Sequence, residues 1–198
     1  MTNTDICNLA LSYLSKGKIT SMDDDSEEAA QCKIHYDHAR KLLLRQYPWN
    51  FAKRTVKLAL LAATQPGWEY AYAYPAECLA VRYVFDEDGA ADREENIQQF
   101  DVAMTSANQK AVLTDVELAW CEYTANIKDT EMYPDEFIEA FAHYLACNMA
   151  MVLTGSAGLQ QTQFQLYQES VEAAMVFTAQ ERRRKTVFPQ DYAQARFD

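Results

Sequence analysis

The chain has 198 residues, 49% of them apolar and 24% charged, enough for one sizeable body with its own core. Its 29 acidic and 18 basic residues leave a net charge of −11, which disfavours a protein that grips DNA through a basic stripe. The five cysteines (Cys7, Cys32, Cys78, Cys121 and Cys147) contain no C-x-x-C pair, which excludes a zinc ribbon and reads as buried free thiols.

The first helix is expected from about Asp5 to Lys16. Ile6, Leu9, Ala10, Tyr13 and Leu14 fall on one face, Thr4 offers a cap, and Gly17 suits the left-handed end. Met1 to Leu14 lacks a basic region followed by an apolar run, so no signal peptide is expected. After the acidic turn Asp23-Asp24-Asp25-Ser26-Glu27-Glu28, a second helix spans about Glu27 to Gln46, with Ser26 as its cap. Ala29, Cys32, Tyr36, Ala39 and Leu43 step by three and four along a buried seam, and Pro48 ends the helix.

The period then changes. Arg54 to Leu61, Trp68 to Tyr74, Leu79 to Phe85, Lys110 to Thr114 and Glu117 to Ala125 read as strands of one small antiparallel sheet. An acidic loop, Asp86 to Glu95, separates the third strand from the fourth and is too charged to bury. Helical period returns after Tyr133-Pro134-Asp135-Glu136, with Phe137, Phe141, Tyr144, Leu145, Asn148 and Val152 facing inward and Gly155 as the stop. The last helix runs from about Leu159 to Arg184, with Phe164, Tyr167, Val171, Ala174 and Thr178 on its inner seam.

These elements define an α+β chain that is mainly α. A four-helix bundle (1–50 and 130–184) carries an inserted small antiparallel β region (51–129) and an extended C-terminal arm (185–198). The arm opens on Arg182, Arg183, Arg184 and Lys185 and continues through Phe188, Tyr192, Arg196 and Phe197. Basic residues and spaced aromatics without helical or strand period suit a segment that orders on a partner. No run approaches the ~18 uninterrupted apolar residues of a membrane span.

Candidate chemistry is sparse. Cys32, His35 and His38 are the best metal set, but spacings of three and three carry the third residue round the helix, and no fourth ligand is evident. Gly155-Ser156-Ala157-Gly158 lacks the order of a nucleophile elbow and joins two helices. His143 follows the core residue Phe141 and reads as a satisfied or interfacial histidine. No dinucleotide or phosphate-loop fingerprint is present, so no cofactor, catalytic residue or resident metal is expected.

Collinear segments resemble a known family. They are Asp5 to Leu11, Tyr47-Pro48-Trp49-Asn50-Phe51-Ala52, Trp68 to Leu79, Tyr133-Pro134-Asp135-Glu136-Phe137 and Leu153-Thr154-Gly155. Together they are similar to the head-to-tail adaptors of short-tailed phages, the tail tubular protein A or head completion family. The resemblance implies a non-enzymatic virion protein assembled in the host bacterial cytoplasm. It implies a ring of twelve copies between the portal protein and the tail nozzle protein, with genomic DNA passing through the channel and no membrane contact. The portal-binding arm would then be Arg182 to Asp198. Channel-facing acids would be sought in Asp23 to Glu28 and in Asp86, Glu87, Asp88, Asp92, Glu94 and Glu95. Two other readings compete: a metal-dependent enzyme using Cys32, His35 and His38, and an acidic host-directed binding protein.

Overall fold

Helix α1 (Asn3–Tyr13) begins at Asn3 because Thr2, rather than Thr4, caps it. The Thr2 hydroxyl accepts from the Asp5 N–H at 3.2 Å, and the Asp5 carboxylate accepts from the Thr2 N–H at 2.8 Å. The helix also ends early. Leu14 is sunk in the core, so the chain turns at once, and Ser15 at φ 55° takes the left-handed position expected of Gly17. A computed structural model describes these elements over residues 1–62, 65–86 and 97–181.

Helix α2 (Glu27–Gln46) has the expected bounds and the expected cap, with the Ser26 hydroxyl accepting from the Ala29 N–H. Its seam of Ala29, Cys32, Tyr36, Ala39 and Leu43 is buried throughout. Helix α3 (Asp135–Thr154) follows Pro134 and closes on Gly155 at φ 67°, where a left-handed end favours glycine. Ser156 caps α4 (Ala157–Gln180), which begins two residues before the expected start and ends at Gln180 rather than Arg184.

Helix α3 is the centre. Helices α1, α2 and α4 all pack on it, α4 most extensively, while α1 and α2 barely meet each other. By length and composition α3 is apolar enough to cross a bilayer, but most of it is buried against the other helices, as a core helix is. Phe137, Phe141 and Leu145 lie inside as expected. Val152 is 58% exposed instead, because the seam at this end runs through Met149, Ala150 and Leu153, one residue round the helix. On α4 the buried line is Gln163, Tyr167, Val171, Ala174 and Thr178, with Phe164 turned out.

Gln163 displaces Phe164 from that line for a polar reason. Its Oε1 lies 2.8 Å from Nδ1 of the buried His143, whose Nε2 lies 3.2 Å from a Glu139 carboxylate oxygen. The Tyr13 ring stacks on the imidazole at 4.3 Å, and its hydroxyl donates to the same Glu139 oxygen at 2.9 Å. One polar cluster therefore joins α1, α3 and α4. The variant Gln163→Leu is expected to cost about 1–3 kcal/mol, because it strands a buried ring nitrogen. Urea unfolding checks this, and an unchanged midpoint would show the cluster to be idle.

The strands are β1 (Lys53–Lys57), β2 (Tyr70–Ala73), β3 (Cys78–Phe85), β4 (Asp101–Met104), β5 (Lys110–Thr114) and β6 (Trp120–Ala125). They form two antiparallel three-stranded sheets, β1-β6-β3 and β2-β5-β4, where the sequence suggested one. The segment read as a single strand, Arg54 to Leu61, passes from one sheet to the other. Its first half pairs with β6, whereas the Ala59 carbonyl accepts from the Ala73 N–H and the Leu61 N–H donates to the Ala71 carbonyl, both on β2. Leu58, Tyr72, Val84, Val112, Ala119 and Cys121 share a small second core fed by both sheets.

Arginines tie this β region to the helices. Arg82 on β3 donates from Nη2 to the carbonyls of Arg45 and Tyr47 at 2.8 and 3.2 Å, satisfying backbone acceptors at the open end of α2. Arg40, buried on α2, donates to the Ile127 carbonyl and lies 2.6 Å from an Asp37 carboxylate oxygen.

Burial sets the protein's alkaline limit. It pushes the Tyr13, Tyr36 and Tyr74 hydroxyls above their ordinary range and the Cys121 thiol up to about 12. In the unfolded chain tyrosine ionises near ~10 and cysteine near ~8.5, so the unfolded state sheds these protons first. Stability is therefore full below those values and falls as pH rises through them. The urea midpoint should drop between about pH 8 and about pH 11. A flat profile would contradict the assigned burial.

Candidate functional site

The corner between α2 and β1 is built by Tyr47-Pro48-Trp49-Asn50-Phe51-Ala52. Pro48 stops the helix, and Tyr47 takes extended backbone at the helix end. Asn50–Ala52 then make one 3-10 turn that leads into β1. Trp49 is 1% exposed, and its indole N–H donates to the Leu43 carbonyl at 2.8 Å, satisfying an acceptor in the last turn of α2. Its ring meets Phe137 of α3 edge-on at 5.2 Å, and Phe51 meets Phe137 at 4.9 Å. Tyr133 and Phe141 extend this aromatic cluster along α3, and Tyr36 joins it from α2.

Asn50 reaches the fourth helix. Its amide donates to the Thr178 carbonyl at 2.7 Å and to a Glu181 carboxylate oxygen at 3.4 Å. An α-helix leaves its last four carbonyls without intrahelical partners, so Asn50 supplies a donor where α4 lacks one. The corner thus fixes the end of α4, the point from which the chain continues to Arg182.

Between these parts lies a small open groove. Trp49, Pro134, Phe137 and Ala174 supply apolar wall, and Phe177 stands on the rim with half its surface in solvent. Glu136 and Glu181 add carboxylates. The groove is far smaller than the ~300–1,000 Å³ usual for a metabolite site.

Helix α4 offers a second surface. It is held along one seam, while Phe164, Val176 and Phe177 on its outer sides are 44%, 55% and 51% exposed. Uncovered apolar groups on a long helix suit a contact with another chain.

The residues singled out from sequence fall as follows. Arg182, Arg183, Arg184, Lys185, Phe188, Tyr192, Arg196 and Phe197 lie outside the described residues, as do Glu87, Asp88, Asp92, Glu94 and Glu95. Asp86 directly follows β3, half-buried, and its Oδ1 is enclosed without a hydrogen-bond partner among the described residues. In the other acidic turn, Asp23 pairs with Lys33 at 2.7 Å. Asp24 accepts from the Thr20 N–H and hydroxyl, which holds its carboxyl below the usual range. These acids shape a local turn.

Cys32, His35 and His38 do not converge. Cys32 faces the core, where its thiol lies 3.8 Å from the Met149 sulfur, while His35 is half-buried and His38 exposed. Among the described residues no three His, Cys, Asp or Glu side chains cluster as metal ligands. All five cysteines are free, four buried and Cys78 half-buried. Gly155-Ser156-Ala157-Gly158 is the α3–α4 turn, with Ser156 as cap and Gly155 as stop.

Sequence reasoning did not find the groove. Its signal was present in Trp49 and Asn50 behind a helix-ending proline, but the partners Phe137, Ala174 and Phe177 lie far along the chain. No protein-family model matches this chain, and no curated protein is found to be related to it.

Proposed function

We propose that this chain is an assembly protein, the head-to-tail adaptor of a short-tailed phage. In this reading it forms a ring beneath the portal, receives the tail nozzle on the far side, and lets genomic DNA pass without sequence-specific binding. It makes and breaks no covalent bond. The observation that carries the reading is α4. One long helix, anchored on a single seam, presents uncovered Phe164, Val176 and Phe177 and leads straight into a basic and aromatic segment. A helix apolar on its outer side is completed by neighbours, because exposed aromatic area is a common currency of subunit contacts.

Two further features support it. The collinear motifs of the adaptor family have structural uses here: Tyr47 to Ala52 makes the corner, Tyr133 to Phe137 starts α3, and Leu153 to Gly155 ends it. The net charge of −11 suits a wall that phosphates slide past.

A truncation ending at Glu181 tests the arm's role. It keeps all four helices of the described residues, so cooperative unfolding should persist, while attachment to portals should be lost. Unimpaired attachment would remove the arm from the mechanism. Copy number per particle tests the larger claim, since a virion neck lacking the protein would overturn it.

A further inference from the structure

We infer that the outer stripe of α2 on one copy of this chain packs against the outer stripe of α4 on the next, in a head-to-tail contact. On α2, Ile34, His38 and Leu42 follow at four-residue steps, and Arg45 lies beside them near the helix end. All four are exposed, Ile34 at 63% and Leu42 at 40%, opposite the buried seam through Cys32, Tyr36 and Ala39. On α4, Phe164, Gln168, Glu172 and Val176 repeat the four-residue step, and all are exposed too. At ~1.5 Å per residue, Ile34 to Arg45 spans about 16 Å and Phe164 to Val176 about 18 Å. The stripes match in length.

Charge selects a second copy as the occupant. Between Ile34 and Arg45, α2 carries the bases Arg40, Lys41 and Arg45 against one acid, Asp37, which Arg40 and Lys41 already hold. Helix α4 carries Glu169 and Glu172 and no base. Neither Arg45 nor Glu172 has an ion-pair partner among the described residues. Packing α4 on α4, or α2 on α2, would set like charges face to face, whereas α2 on α4 matches them. Apolar area adds to this. Each stripe alone leaves large apolar side chains in water, and pairing covers both at once. Placement sets the geometry. Both helices pack on α3 and turn these stripes outward, so the pair forms between copies rather than within one. Two copies joined this way keep one free α2 stripe and one free α4 stripe, so the contact repeats until a ring closes or a filament grows.

This rests on the assembly reading and adds to it the two faces that meet. The test is sedimentation equilibrium of the full chain up to about 1 mM, with Ile34→Asp to spoil the α2 stripe and Val176→Asp to spoil the α4 stripe. Both positions are exposed, so the urea midpoints should stay near that of the unaltered chain. The unaltered chain should grow past the dimer as concentration rises, and each variant alone should stay monomeric. An equimolar mixture of the two should form a dimer and stop there, since each supplies the stripe the other lacks. Arg45→Glu or Glu172→Arg alone should weaken association several-fold, and the double exchange should restore it. An unaltered chain that stays monomeric, variants that associate as it does, or a mixture that remains monomeric would each overturn the contact. The adaptor reading fails separately: association through these faces without attachment to portals would reject it and leave the contact standing.

Discussion

Trp49→Ala is expected to be the most damaging single substitution in the described structure, costing about 3–5 kcal/mol. The indole is almost fully buried, touches Tyr47, Phe51 and Phe137, and donates its N–H to the Leu43 carbonyl. Alanine would remove the ring, open a cavity against Phe137 and leave the carbonyl without that donor. The same substitution should loosen the end of α4, because Asn50 sits on the backbone that Trp49 anchors. Urea unfolding measures the loss, and amide exchange at Thr178 to Glu181 measures the loosening. A cost below about 1 kcal/mol would show that the corner does not hold the helices together. Trp49→Phe separates the two contributions, since it keeps most of the ring and deletes the N–H.

The second large effect belongs to Arg40. Its guanidinium is buried, donates to the Ile127 carbonyl and pairs with Asp37. That link fastens α2 to the stretch between β6 and α3. Arg40→Met should cost roughly 2–3 kcal/mol, less than the full penalty of breaking a buried pair, because the abandoned Asp37 is largely in water. Tyr133 also donates its hydroxyl to Ile127, which softens the loss further. The neighbouring Lys41 pairs with the other Asp37 oxygen at an exposed position, so Lys41→Met should change stability by less than about 1 kcal/mol. Equal effects from the two substitutions would mean that burial of Arg40 contributes nothing.

Local rules carried most of the helical reading. Ser26, Pro134, Gly155 and the three-four spacing of α2 act through neighbours within one or two turns, so one sequence contains the whole instruction. The misreadings occur where a distant partner decides. Gln163 replaces Phe164 inside because His143 needs an acceptor, and Leu14 forces an early turn because the core claims it. Short β4 escaped notice because its four residues alternate weakly and pair with β5 at an edge. The split of one run into two sheets depends on β6 and β2, neither of which is near Arg54 to Leu61 in sequence. The groove belongs to the same class, with walls drawn from the α2–β1 corner, the start of α3 and the end of α4.

The element at the middle of each layer comes late in the chain. Strand β6 lies between β1 and β3, and α3 lies among α1, α2 and α4. During synthesis, then, α1, α2, β1 and β3 emerge before the partners that would bury them, and α1 and α2 give each other little shelter. Only β2, β4 and β5 close a sheet among themselves before residue 120. An N-terminal fragment released early would expose two half-built layers, so productive folding waits on the last third of the polypeptide.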